Sequence, residues 1–263
     1  MSNQPLLQVR HLHKHYPRSR SWFNRQQLQA LAPISFDLYP GETIAFVGEA
    51  GSGRTSLAQV LSGAKARSGG QIIINGQELA SQNSRQRSRD IRMIFQDPAA
   101  SLNPRLRIGE QLELPLRFNT SYNLVERTLM VEQALKQVGL LREHADFYPA
   151  MLANGQRQRV AIARALILEP KVLISDEAFT GLDTSLRAQC LNLMLQLQKQ
   201  LGLGYLFMSH DLDLVRHISD KVMVLRKGIV VEQGDTEALF ENPQHEYTKT
   251  LLKQQIIRSR KLS

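Results

Sequence analysis

Residues 48–56 read GEAGSGRTS, with Gly48, Gly51 and Gly53 spaced through a run that ends in two hydroxyl side chains. Without Cβ atoms such a loop can turn tightly enough for successive N–H groups to point inward, Glu49, Ala50 and Ser52 contributing through their backbone. A helix starting at its end adds a partial positive charge, and both features favour a phosphate group. Thr55 is placed to bind Mg2+ through its hydroxyl, and Ser56 to donate to an inner phosphate. A plain turn between strand and helix is the competing explanation, and three glycines at this spacing disfavour it. Lysine is the expected cation before Thr55, yet Arg54 stands there.

KVLISDE (171–177) supplies the second half of the chemistry. Three apolar residues bury a strand whose end presents Asp176 and Glu177. Asp176 would hold Mg2+ through water, and Glu177 would polarise an attacking water. An apolar run ending in two acids is common by itself. At about 120 residues beyond a phosphate loop, and followed by AFTGLD, it is specific.

These residues need a scaffold, and the hydrophobic pattern predicts one. LLQVRHL (6–12) and APISFDLY (32–39) alternate as half-buried strands, and TIAFVG is a short buried strand feeding the glycine loop. SLAQVLSGA then reads as an amphipathic helix, QIIING (71–76) as a strand closed by Asn-Gly, and IRMIF (91–95) as another strand. From about 105 to 168 the spacing is helical, after which KVLISDE, GYLFMSH (204–210) and KVMVLRKGIVVEQG (221–234) return to strand. A helix is expected over SLRAQCLNLMLQLQKQLG, and helical stretches finish the chain. Strands alternating with helices around an all-helical insert predict an α/β fold with a parallel sheet and a helical subdomain.

Composition excludes several classes. With 263 residues, 42% of them apolar and 22% charged, the chain can build a core and does not read as disordered. One cysteine, Cys190, excludes an internal disulfide and a cysteine-cluster metal site, and reads as a buried thiol in a reduced compartment. MSNQPLLQVRHLHKHYPRSRS shows no signal-peptide pattern, and no apolar run approaches the ~20 residues that cross a bilayer. The expectation is a soluble protein whose membrane contact is indirect. The net charge of +9 gathers in PRSRSWFNR and RSRK, read first as solvated surface and second as a face near anionic lipid. No interleaving of aromatic and basic residues suggests nucleic acid.

The motifs together resemble the nucleotide-binding subunit of an ABC transporter, over nearly the whole chain. Tyr16 in HKHYP matches the family's adenine-stacking aromatic, and Gln96 in MIFQDP the loop glutamine that reaches Mg2+ and the attacking water. LANGQRQR (152–159) is similar to the LSGGQ signature, which implies that Leu152, Ala153, Asn154, Gly155 and Gln156 act on a partner's nucleotide. Asp183 in TGLD matches the loop that crosses the dimer interface, and His210 in MSHD the switch histidine at the γ-phosphate. Each has a bland alternative: a surface tyrosine, a turn glutamine, a polar residue at a strand end. The resemblance implies a P-loop NTPase fold, an ABC-type ATPase core with an antiparallel β subdomain and an inserted helical subdomain.

It also implies one nucleotide-binding domain over 1–263, with a catalytic core at about 1–104 and 169–240, a helical signature subdomain at about 105–168 and a helical tail at 241–263. FQDPAASLNPR (95–105) and ENPQHEYTKTLL (241–252) are similar to segments of the peptide and nickel importer group, within it most to the Sap-type peptide-uptake branch. Glu246 replaces the usual proline of the tail. A cysteine-bearing extension found in some relatives is not seen. The implied ligands are ATP and Mg2+. The implied partners are a second ATP-binding subunit, two transmembrane permease subunits and a periplasmic binding protein, at the cytoplasmic face of a bacterial inner membrane.

Three departures bear on mechanism. Arginine keeps the charge of the lysine but is longer and planar, so Arg54 should slow this chain's own site more than it weakens binding. Ala153 lacks the serine hydroxyl that would reach the partner's phosphate, a loss of roughly 1.5–3 kcal/mol. Asn154 replaces a glycine, and asparagine tolerates left-handed backbone better than most residues. The rival readings are an ATP-binding regulatory subunit that hydrolyses little, favoured by Arg54 and opposed by Glu177, and the motor of a dipeptide or nickel importer. An ABC ATPase acting on nucleic acid would need a coiled-coil insert or second cassette that 263 residues do not hold.

Overall fold

The computed structural model describes residues 4–18, 26–79, 84–94 and 100–262. The chain packs as two compact units, residues 1–83 with 204–263, and residues 84–203.

The first unit carries β1 (Leu7–Arg18), β2 (Gln26–Leu38), β3 (Thr43–Val47), α1 (Arg54–Ser62), β4 (Gly69–Ile74) and β5 (Gln77–Glu78). Those of the second are α2 (Ser84–Asp90), β6 (Ile91–Ile94), α3 (Ile108–Asn119), α4 (Leu124–Gln137), α5 (Asn154–Leu166), β7 (Val172–Asp176) and α6 (Thr184–Leu201). The chain then returns to the first unit with β8 (Gly204–Ser209), α7 (Leu212–Ile218), β9 (Lys221–Arg226), β10 (Ile229–Asp235), α8 (Thr236–Glu241) and α9 (Glu246–Leu262).

In the first unit, β1, β2, β4 and β5 form an antiparallel sheet in the order β2-β1-β4-β5. Beside it β3 lies parallel to both β8 and β9, with β10 antiparallel to β9. Every residue of β3 is buried, as a continuous apolar run in the middle of a parallel sheet should be. The Phe36 and Phe46 rings meet edge to face at 5.3 Å and tie β2 to β3.

β1 and β2 are longer than the hydrophobic pattern predicts. They pair on through Lys14↔Leu31 and Tyr16↔Leu28 to Arg18↔Gln26, with register shifts on the way, and His11 sits at φ 48°. Each shift breaks the two-residue alternation, which is why HKHYPR carries no readable strand period. α2 was also not expected, because SRQRSRD has no apolar periodicity.

The link from β9 to β10 positions the glycine loop. Arg226 pairs with Ile229, leaving Lys227 (φ 49°) and Gly228 (φ 81°) as a two-residue turn of type I′. The Gly228 N–H donates to the Ser52 carbonyl at 2.7 Å, and the Gly228 carbonyl accepts from the Ala32 N–H at 2.7 Å. A Cβ on Gly53 would stand 2.8 Å from the Ala30 carbonyl oxygen, and one on Gly228 2.7 Å from the same atom. Strand, turn and loop therefore stack backbone on backbone.

In the second unit β6 and β7 are parallel, with Ile94 opposite Ser175. α3, α4 and α5 lie between these two strands in sequence, where the helical spacing predicts helices. Asn123 and Glu126 cap α4 reciprocally, and Glu113 and Arg127 join α3 to α4 at 2.7 Å. Gln111, buried on α3, accepts from Asn103 N and donates to the carbonyls of Asn103 and Leu106. Cys190 on α6 is 3% exposed, and its thiol is pushed up by burial, with Arg159 opposing and Asp183 adding to the shift. Among the described residues no helix is long and apolar enough to cross a membrane.

Gly228→Ala forces a side chain into left-handed backbone against a carbonyl, and is expected to cost about 1–3 kcal/mol. Urea unfolding measures it; an unchanged midpoint would show that the turn does not pack as described.

Candidate functional site

The loop between β3 and α1 leaves the sheet at Gly48. Gly51 lies at φ 78° and Gly53 at φ 109°, left-handed backbone that turns the intervening amides. Gly53 precedes α1 with no side-chain cap, and no acid stands in the first helical turn, so the helix start keeps its positive character toward an anion. The Ser52 N–H bonds the Glu49 carbonyl at 3.0 Å, while the buried Ser52 hydroxyl makes no hydrogen bond among the described residues. Open helix donors, a buried unused hydroxyl and a surface without Cβ atoms fit a phosphate chain. Thr55 is exposed, Ser56 half-buried and Glu49 and Ala50 exposed. Arg54 is only 7% exposed, so its guanidinium lies among protein groups rather than in solvent.

The same edge of the sheet carries His210. Val47 on β3 is in register with Ser209 on β8, so Gly48 and His210 each directly follow the ends of adjacent parallel strands, which run about 4.8 Å apart. His210 is exposed. Tyr16 lies half-buried in β1 opposite Leu28, with Lys14 Nζ 4.9 Å from the centre of its ring.

The second unit gathers the remaining residues. Asp176 ends β7 and is 9% exposed, and Glu177 follows at φ 50°. The Glu177 carbonyl accepts from Thr180 N at 3.2 Å and Thr180 Oγ1 at 2.7 Å, which fixes the turn after the strand. Since Ile94 is opposite Ser175, β6 and β7 end side by side. Gln96, two residues beyond β6, lies outside the described residues.

Leu152 is buried and Ala153 is the N-cap of α5, with Asn154 its first helical residue. Asn154 is not in left-handed backbone, so the tolerance expected of asparagine is not drawn upon. Gln156 is used locally: its Oε1 accepts from Ala153 N at 2.9 Å and its Nε2 lies 3.2 Å from His144 Nε2. A Cβ on Gly155 would stand 3.0 Å from Leu186 Cδ1, which brings the start of α5 against α6. Asp183 caps α6 through Leu186 N at 2.9 Å.

The unit boundary thus divides the expected residues. Tyr16, 48–56 and His210 belong to one unit, and 152–156, Asp176, Glu177 and Asp183 to the other. Among the described residues no group of three or more His, Cys, Asp or Glu side chains converges. Thr55 in the first unit and Asp176 in the second each offer the hard oxygen that Mg2+ prefers, an ion that commonly takes most of its ligands from phosphate and water. The sequence reading passed over Gly228 and Tyr247 as contacts of the loop. The Lys-Gly pair between two strands was the signal for the first; nothing local marked the second.

Residues 31–180 match the family described as ABC transporter. The chain belongs to the ABC transporter family. It is 45% identical over 249 residues to Escherichia coli SapF, covering 95% of this chain and 93% of SapF. That relative is named a putrescine export system ATP-binding protein in strain K12 and a peptide transport system ATP-binding protein in strain O6:H1. A second relative, the dipeptide transport ATP-binding protein DppF of Escherichia coli K12, is 46% identical over 253 residues, covering 95% of this chain and 76% of DppF. Among solved structures, cbiO1 from Clostridium perfringens, part of the ABC transporter complex cbiONQ, superposes with a TM-score of 0.76 at 28% identity, over 99% of this chain and 96% of that one. The mixed α/β fold, with its antiparallel sheet and its helices between β6 and β7, is that of an ABC ATPase.

In this ABC protein Asp183 has a capping role separable from any part it plays in pairing. Asp183→Ala is expected to lower unfolding stability by about 1 kcal/mol, and Asp183→Asn, which caps equally well, by much less. Chemical unfolding of both variants checks this, and equal losses would refute the capping account.

Proposed function

We propose that this ABC-type ATPase subunit powers peptide import at the cytoplasmic face of a bacterial inner membrane. The glycine loop carries the reading: the left-handed turns at Gly51 and Gly53 and the uncapped start of α1 would offer donors to one anion, at the strand edge that also bears His210. The Glu49 and Ser52 N–H groups are taken by Tyr247 and the Glu49 carbonyl. It would work with a second ATP-binding subunit, two permease subunits and a periplasmic binding protein. SapF and DppF support the peptide assignment by their names and by 45–46% identity.

Residues 48–56 would hold the phosphates and Tyr16 would stack on adenine, one face of its ring already covered by Lys14. Thr55 and Asp176 would hold Mg2+, with Gln96 reaching toward it; the ion supplies neutralisation of the phosphate oxygens. Glu177 would polarise the attacking water, and His210 would contact the γ-phosphate. Leu152, Ala153, Asn154, Gly155, Gln156 and Asp183 would act at the partner's nucleotide.

The second unit offers a permease an open cavity of about 340 Å³, lined by Phe118, Leu106 and two arginines, Arg92 and Arg164. Burial depresses both guanidinium groups, and Arg164 further depresses Arg92. An acidic side chain or a helix C-terminus would suit that place. The putrescine export named for SapF makes polyamine efflux the second reading. Uptake of labelled peptide against release of labelled putrescine, in cells carrying the complete transporter, separates the two.

Glu177→Gln keeps the shape of the site but cannot take a proton. It is expected to bind MgATP as the wild type does and to lose turnover, measured with a partner subunit already inactivated. Persistent turnover would remove Glu177 from the reaction, and a wild type without saturable binding up to millimolar MgATP would overturn the nucleotide reading.

Arg54→Lys is expected to raise single-turnover hydrolysis about tenfold, some 1.4 kcal/mol of barrier, because a compact ammonium leaves the γ-phosphate in line with the water. A lysine variant that is no faster would show that the groups enclosing the guanidinium are matched to it.

A further inference from the structure

The tail segment ENPQHEYTKTLL (241–252) contains none of the expected site residues. One side chain on β10 holds its start. Glu232 accepts from Gln244 N through Oε1 at 2.7 Å and from His245 N through Oε2 at 3.1 Å. Burial alone would raise this carboxyl, but the nearby Thr248 side chain and the N–H groups of Gln244 and His245 outweigh it and hold the group below its ordinary range. His245 Nδ1 then accepts from Tyr247 N at 3.0 Å, which sets how α9 starts.

Tyr247 faces inward as a result. It is 7% exposed, and the Arg226 guanidinium lies 4.8 Å from the centre of its ring. Its hydroxyl accepts the Glu49 N–H at 3.2 Å. Glu49 is the second residue of the glycine loop, and its carbonyl accepts from Ser52 N, so both of its backbone groups are engaged. Packing alone would be served by phenylalanine. Only the hydroxyl reaches the loop.

We propose that Tyr247 is a positioning residue for the nucleotide: through its hydroxyl the tail fixes the entry of the glycine loop, and with it the place of the open donors at the start of α1. This rests on the assignment of 48–56 to ATP. It gives the tail a task at the site through Glu232, His245, Tyr247 and Glu49 in turn, with Arg226 steadying the ring.

Tyr247→Phe in the full chain removes the hydroxyl and leaves the ring against Arg226. Its dissociation constant for MgATP is expected to rise about three- to tenfold, the loss of one ordinary hydrogen bond. Amide exchange should speed at residues 49–53 alone, and the melting temperature without nucleotide should fall by no more than about 2–4 °C, as one part-buried bond is lost. Unchanged affinity and exchange would overturn the proposal. So would weaker binding accompanied by faster exchange throughout and a larger fall in melting temperature, because that pattern marks a packing residue. A wild-type chain that binds no MgATP would overturn the nucleotide assignment, and this proposal with it.

Discussion

Backbone amides aimed at one point cannot also bond to one another. A loop that presents them gives up the ladder that holds a strand or helix in place, so its shape must be imposed from outside. In this protein the outside support is itself mostly backbone. The Ala30–Ala32 stretch of β2 lies against the Lys227-Gly228 turn, and the turn lies against Ser52 and Gly53. The register of β3 with β8 sets where the loop departs, and the tail contributes one hydroxyl. The long antiparallel ribbon and the β9–β10 hairpin have their reason here, since both bring rigid main chain to a segment that cannot stiffen itself.

If residues 48–56 and 152–156 meet phosphate as proposed, Arg54 and Ala153 would change what a side chain offers at two places where the backbone does most of the orienting. α1 still begins at Gly53 without a competing cap, and α5 still begins at Asn154 with Gln156 tying its first turn. Asn154 fits there as an ordinary helical residue, so the glycine it replaces is not required by backbone conformation.

Legibility in the sequence followed the kind of information each feature carries. β3, β7 and β8 were readable because all their residues are buried and the apolar runs are unbroken. α3 and α4 were readable from spacing, α3 despite Pro115 within it. The outer parts of β1 and β2 were not, because shifted register erases alternation where HKHYPR pairs with Gln26–Leu31. The glycine loop and the Asp176-Glu177 pair were found from residue type and interval. Long-range partners were hidden: Tyr247 lies 198 positions from Glu49, and no local pattern links them. Gln111 and Arg164, which hold Asn103, Leu106 and Ser101 through hydrogen bonds, look in sequence like ordinary polar residues of helices.

The solitary thiol of α6 has a practical corollary. Cys190 is enclosed and its thiolate is disfavoured, so thiol reagents will pass it by in the folded protein. A cysteine introduced at an exposed position would then be the sole reactive one, with no prior replacement in the core. Spin or fluorescent labels placed that way at Tyr122 or Leu141, both exposed, would report on one chosen site of an otherwise unmodified framework.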